Sequence, residues 1–144
     1  MSTTDGTRGG LLALSLALSA GIHAGLTPEH LKEKPRLGDL FIAAAALGAA
    51  IAVAIISRPD DRRLAATGGL FCLAQIVAWI LFVTIRVPLF PGTPEGIETI
   101  ALVSKGVEAA GVALALALLS CPAAASTRPR LSRDLRMARP LEPR

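Results

Sequence analysis

The chain has 144 residues, of which 52% are hydrophobic and only 3% aromatic, and its mean hydropathy is +0.55. This apolar content is too high for a water-soluble domain of this size, so the composition indicates a membrane protein. The net charge of +4 is compatible with a nucleic-acid partner. However, most basic residues lie beside apolar segments or in the C-terminal tail, and we expect no nucleic-acid binding.

Four apolar segments are long enough to be membrane-spanning helices, each of which needs roughly 20 residues. They cover about residues 9–26, 39–57, 64–85 and 97–120. We therefore predict an all-α protein with four transmembrane helices in an antiparallel bundle. The membrane domain covers residues 1–121, and residues 122–144 form an Arg- and Pro-rich tail with little to bury, for which we expect disorder.

The first segment also resembles a secretory signal peptide. Arg8 precedes an apolar core, and Ser19-Ala20-Gly21 has the small residues of a cleavage site. The apolar segment continues beyond that site and three further spans come after it. We therefore expect the segment to stay in the protein as the first span.

The distribution of Lys and Arg predicts the orientation of the bundle. In an even-numbered bundle the N-terminus, the connection after the second span and the tail lie on one side of the membrane. That side holds Arg8, Arg58, Arg62, Arg63 and the six arginines of the tail, whereas the other side holds only Lys32, Lys34, Arg36 and Arg86. The positive-inside rule then places both termini in the cytoplasm, with the protein in the plasma (inner) membrane.

Both histidines of the chain, His23 and His30, lie near the end of the first segment, and Glu29 precedes the second. Residues 27–29, Thr-Pro-Glu, have the pattern of a helix start, with an N-cap, proline at the first position and an acid in the first turn. We therefore predict a short interfacial helix from this point to about Lys34. On one straight helix the histidines would lie about 10.5 Å apart along the axis. A shared metal ion would thus require the chain to fold back between them.

The histidines leave three interpretations open. They are structural side chains at the membrane interface, groups with a pH-responsive, quinone-linked or proton-linked role, or ligands of a metal or haem. They are not part of an established metal-binding motif such as HExxH. The cofactor therefore stays unassigned.

The fourth segment contains Lys105 and Glu108, whose ionised side chains would each cost about 2.5–3.5 kcal/mol at the centre of a bilayer. Their i, i+3 spacing places them on one helix face, where they can form an ion pair. Glu98 lies two turns earlier on nearly the same stripe, and Gln75 in the third segment is a candidate hydrogen-bond partner. The stripe indicates a proton or ion path, a contact with a partner subunit, or an internal ion pair that orients the helix.

Arg86 ends the third segment, just before the proline-rich sequence VPLFPGTPEG. Its long side chain suits an anchoring position at the membrane interface. The alternative is an ion pair with Glu95 or Glu98 across this connection. Both interpretations place Arg86 on the same side of the membrane as the histidines.

The segments IHAGLTPEHLKEKPRLGDLF and TIRVPLFPG, together with Glu108 in the last span, resemble a family of small four-helix bacterial integral membrane proteins to which no activity is assigned. The resemblance covers roughly residues 20–112. It implies the four-span topology and supports His23, Glu29, His30, Arg86 and Glu108 as candidate functional residues. It implies nothing about their chemistry.

No phosphate-binding loop, nucleophile–base–acid set or dense metal motif is visible in the sequence, so we expect a non-enzymatic protein. The leading hypothesis is an accessory or assembly component of a membrane complex, with the lipid bilayer and a larger complex or a homo-oligomer as partners. One alternative is a small proton- or ion-linked transporter or channel that uses Lys105 and Glu108. Another is a membrane redox or metal-binding protein that uses His23 and His30. The candidate site residues are His23, Glu29, His30, Arg86, Glu98, Lys105 and Glu108.

Overall fold

The computed structural model describes residues 3–84 and 98–120, with side chains described for residues 6–84 and 98–120. These residues form four helices, α1 (Thr3–Glu33), α2 (Pro35–Ser57), α3 (Arg62–Thr84) and α4 (Thr99–Ser120). Each helix is long and apolar enough to cross a membrane. The prediction of an all-α chain with four such helices is therefore confirmed. Arg86, the proline-rich connection and the C-terminal tail lie outside the described residues.

The outer surface of the helices is rich in large apolar side chains. Val53 is 63% exposed, Leu70 67% and Leu116 59%, and α1 exposes Leu11, Leu14 and Leu18 in the same way. Such surfaces are unfavourable in water but match the hydrocarbon of a bilayer. Helices suit this environment because they satisfy their backbone hydrogen bonds internally, where lipid offers no partners. The fold is thus that of a multi-pass membrane protein.

The first helix differs from the prediction, because α1 continues through Pro28 to Glu33. The prediction of a separate interfacial helix is wrong, and the helix is longer than the predicted residues 9–26. The Thr27 hydroxyl donates a hydrogen bond of 2.8 Å to the carbonyl oxygen of His23, so it satisfies its own helix rather than capping a new one. Beyond Pro28, the turn at Leu31 packs against Gly38 of α2, where an added Cβ would lie 2.6 Å from the Leu31 side chain. Tertiary packing of this last turn thus outweighs the helix-breaking tendency of proline.

Small residues allow the helices to approach each other closely. A Cβ added at Gly111 of α4 would lie 2.8 Å from Sγ of Cys72 in α3, and one added at Gly69 would lie 2.5 Å from Cβ of Ala115. Lipid supplies no hydrophobic drive between helices, so such close contacts and interhelical polar contacts hold a membrane bundle together. The completely enclosed side chains include apolar and polar ones: Leu12, Leu16, Cys72, Ser19 and Glu108.

The contacts define the two ends of the bundle. At one end, the start of α1 lies beside the α2–α3 connection, since a Cβ on Gly9 would be 3.5 Å from the carbonyl oxygen of Pro59. At that same end Arg62 donates to the carbonyl oxygens of Leu118 (3.2 Å) and Leu119 (2.6 Å) of α4. The opposite end, which we call the Lys34 end, contains the α1–α2 connection, the last turns of α3 and the first turns of α4. The candidate site lies there.

Candidate functional site

A cavity of about 500 Å³ opens among the four helices at the Lys34 end. Five of the seven predicted site residues line it: His23, Glu29, His30, Glu98 and Lys105. They come from α1, from α4 and from Glu98 just before α4, whereas α2 and α3 contribute mainly apolar and aromatic walls. The structure therefore brings together residues that are up to 82 positions apart in the chain. The remaining two predicted residues do not line it: Glu108 lies about one turn after Lys105 in α4, and Arg86 lies outside the described part of the chain.

Glu108 is completely buried near the middle of α4, and it forms the ion pair with Lys105 that the i, i+3 spacing predicted. Glu108 is nine residues beyond Thr99, which is roughly 14 Å along the helix axis. Lys105 bonds to Oε2, while the hydroxyls of Ser19 and Ser104 each donate a 3.0 Å hydrogen bond to Oε1. Charge pairing and two hydroxyl donors together compensate for removing this carboxylate from water.

Gln75 of α3 connects this ion pair to the cavity wall. Its Nε2 donates to the Ser19 hydroxyl at 3.3 Å, and that hydroxyl in turn donates to Glu108. This chain of donors fixes the orientation of the amide, so Oε1 of Gln75 is the acceptor atom. Lys105 approaches the backbone carbonyl oxygen of Gln75 at 3.4 Å. The predicted partnership of Gln75 with the charged stripe is thus made through its backbone and through Ser19. Its side-chain oxygen is buried and has no hydrogen-bond partner among the described residues.

The two histidines share one face of α1 and lie on either side of one aromatic ring from α2. The centroid of the Phe41 ring is 5.0 Å from that of His23, at an interplanar angle of 50°, and 4.3 Å from that of His30, at 19°. Each imidazole also bonds through Nδ1 to the carbonyl oxygen four residues earlier, His23 to Ser19 at 2.8 Å and His30 to Leu26 at 3.0 Å. A carbonyl only accepts, so Nδ1 carries the proton in both rings.

This arrangement does not meet the condition for a shared metal ion. The helix is continuous between His23 and His30, so the chain does not fold back; the two backbone positions stay about 10.5 Å apart along its axis, and the Phe41 ring lies between the two imidazoles. Among the described residues, no group of three or more His, Cys, Asp or Glu side chains is placed to hold a metal ion. The histidines instead form, with Phe41, part of the cavity wall.

Three residues of the site were missed from the sequence. Ser104 lies four residues before Glu108 and Ser19 four before His23, so helical spacing would have placed each hydroxyl beside a candidate residue. No local pattern links Ser19 to Glu108, because that contact joins α1 to α4. Phe41 is likewise brought to the histidines only by the packing of α2 on α1.

Comparisons of the chain with protein-family models, with curated proteins and with solved structures found no match.

Proposed function

We propose that this chain is a multi-pass membrane protein that reversibly binds a small ligand, without chemical conversion, in the cavity at the Lys34 end. One observation carries the proposal: the cavity is enclosed by all four helices and leads to the buried Lys105–Glu108 ion pair. Ionisable residues inside a membrane domain generally mark ligand or ion pathways. A cavity with apolar walls and a few convergent polar groups is the usual form of a small-molecule site.

The dimensions and chemistry of the cavity support this proposal. Its volume of about 500 Å³ falls within the range of about 300–1,000 Å³ that is typical of ligand pockets. Phe71 and Trp79 supply apolar surface, and Gln75 and Lys105 supply polar groups deeper in the cavity. The polar groups therefore fix the orientation of a ligand while the walls remove its apolar part from water.

The proposal also includes the topology. Both termini lie in the cytoplasm, the four helices form an antiparallel bundle, and the cavity opens on the outer side of the plasma (inner) membrane. The clustering of Arg58, Arg62 and Arg63 at the end opposite the cavity supports this orientation. Cysteine-accessibility labelling tests it in intact cells. A cysteine at exposed Pro35 should react with an impermeant reagent, and one at exposed Asp60 should react only after the membrane is opened.

Native mass spectrometry of the protein, purified gently from its own membrane, tests the binding function. The wild-type protein should retain a small molecule. Ala101→Phe, which places a phenyl ring in the cavity wall, should lose it. Ala66→Phe is the matched control, because Ala66 lies on an exposed part of α3 and does not line the cavity. Equal retention by the wild type and by both variants would contradict a site in the cavity.

A transporter and a binding component differ in the step after binding. If the chain transports its ligand, proteoliposomes containing it should show ligand flux that Ala101→Phe abolishes and Ala66→Phe preserves. Binding without flux indicates that the chain presents its ligand to another protein. This second result would support the hypothesis of an accessory component that binds its ligand in the cavity.

An accessory role in a larger complex is a second candidate, and a separate observation favours it. Part of α4 leaves small residues exposed beside large apolar ones: Gly106, Ala109, Ala110 and Ala113. Small residues at this spacing allow another transmembrane helix to approach closely. Ala110→Leu should then remove a partner protein that co-purifies in mild detergent, whereas Leu70→Ala, a change on the exposed surface of α3, should retain it.

A further inference from the structure

Among the described residues, the opening of the cavity is lined by more acidic than basic groups. Glu29 and Glu33 of α1 and Glu98, just before α4, line it, and all three side chains are exposed. Of the two lysines among the described lining residues, Lys105 pairs with the buried Glu108, which leaves Lys34 as the lysine that balances these three carboxylates. A cleft lined by an excess of one charge concentrates ligands of the opposite charge.

Part of the cavity lining is aromatic. Phe71 and Trp79 of α3 contribute to it, together with the Phe41 ring of α2 that contacts both histidines. The face of an aromatic ring attracts a cation, and the attraction is stronger where water is excluded. The same rings offer apolar surface to a hydrocarbon substituent. These walls therefore suit a ligand that carries both a positive charge and an apolar group.

An unpartnered acceptor lies on the same wall. The side-chain oxygen of Gln75 is buried without a hydrogen-bond partner among the described residues, although the amide nitrogen of the same side chain is bonded to Ser19. A buried acceptor without a partner loses its hydration and gains nothing in return. A donor on a ligand would satisfy it once the Gln75 side chain turns toward the cavity, because the oxygen has almost no exposed surface in this conformation. A carboxylate ligand has no such donor, whereas a primary ammonium group has three.

We infer that the cavity binds a small organic cation, namely a protonated amine with an apolar or aromatic substituent, whose N–H group donates to Oε1 of Gln75. This inference rests on the proposed function and names its ligand class. The acidic opening selects the sign of the charge, Gln75 selects a hydrogen-bond donor, and the aromatic walls bind the substituent. A bare metal ion would lack the ligand set it needs among the described residues.

Three probes with the same carbon skeleton and differing charge test the inference on the purified full-length protein in detergent. They are 3-phenylpropylammonium, neutral 3-phenylpropanol and anionic 3-phenylpropanoate, with binding measured by isothermal titration calorimetry. The ammonium probe should bind at least about tenfold more tightly than the alcohol, and the carboxylate should bind more weakly still. Equal affinities for the ammonium probe and the alcohol, or stronger binding of the carboxylate, would overturn the inference.

Two variants assign the selectivity to the residues named. Glu98→Gln should weaken binding of the ammonium probe about threefold to tenfold and leave that of the alcohol unchanged. Asp39→Asn is its matched control, because Asp39 is an exposed carboxylate near the same end of the bundle that does not line the cavity. Gln75→Leu should weaken the ammonium probe about tenfold through the lost acceptor. Equal effects of Glu98→Gln and Asp39→Asn would mean that the Glu98 carboxylate does not act from within the cavity, which would contradict the inference.

The outcomes separate this inference from the proposed function. If the ammonium probe does not bind, but native mass spectrometry finds a molecule that Ala101→Phe displaces, the cavity is a binding site and the assignment of an organic cation is wrong. If neither the probe nor a native molecule binds, both are wrong. Selective binding of the ammonium probe that Ala101→Phe abolishes supports both.

Discussion

Replacing Glu108 by Gln tests whether the buried ion pair is a coupled unit. The amide keeps an oxygen that accepts the hydrogen bonds of Ser19 and Ser104, each 3.0 Å long in the native protein, and removes only the charge. Lys105 then lacks its counter-ion while its side chain stays only 14% exposed. Breaking a buried ion pair in this way costs about 3–5 kcal/mol. Because Lys105 borders the cavity and can regain some hydration there, we expect about 3 kcal/mol of lost stability.

A double-mutant cycle isolates the pairwise part of that loss. Lys105→Met alone leaves Glu108 buried with only its two hydroxyl donors, so it should also destabilise the protein. The variant that carries both changes has no charge to compensate. It should lose less stability than the sum of the single changes by about 2–3 kcal/mol. The free energy of unfolding is measured in one detergent by circular dichroism and by the fluorescence of Trp79, the single tryptophan of the chain.

Glu98→Gln is the control for this cycle, because it makes the same chemical change on an exposed carboxylate just before the same helix. Its effect should stay within about 0.5 kcal/mol. Additive effects of Lys105→Met and Glu108→Gln would refute the reasoning, since they would mean that the two side chains contribute independently. A loss after Glu108→Gln no larger than that after Glu98→Gln would refute the buried position of the charge.

Two further predictions concern helix packing and the path of α1. Gly111→Ala should destabilise the protein by about 1–3 kcal/mol, because its Cβ would lie 2.8 Å from Sγ of Cys72; thermal unfolding measures the loss. Adding Cys72→Ala to this variant should restore part of the lost stability. Gly106→Ala is the control, because a Cβ there would meet nothing within 4 Å, and it should be neutral or stabilising. Pro28→Ala should raise the free energy of unfolding by about 1–3 kcal/mol, since α1 continues through this position and gains a backbone donor. A loss of stability after Pro28→Ala would instead indicate that a new helix starts there.

The bundle contains a buried ion pair that the packing of apolar helices does not by itself require. Lys105 and Glu108 cost free energy to bury, yet the site surrounds them with Ser19, Ser104 and the backbone of Gln75. A bundle held only by small residues would form without these groups. The proposed function gives Lys105 a role at the cavity, and the alternative is an internal ion pair that orients α4.

Much of the fold is determined by local properties of the sequence. Length and hydropathy are sums over neighbouring residues, and they predicted the four helices because a bilayer accepts only segments that satisfy their own backbone. The Lys105–Glu108 ion pair was equally predictable, since the geometry of one helix places residues i and i+3 side by side. The same local reasoning failed at Pro28, where a helix-start pattern lies inside a continuous helix.

The contacts between helices were decided by the tertiary structure alone. In lipid both faces of a helix are apolar, so the sequence pattern does not state which face is buried, and it did not predict that Ser19 of α1 would donate to Glu108 of α4. Phe41 lies between two histidines of another helix for the same reason. The cavity, which joins His23 and His30 to Lys105, exists only because four separately apolar helices pack with a gap at one end. Sequence determined which segments enter the membrane, and packing determined which of their few polar groups meet.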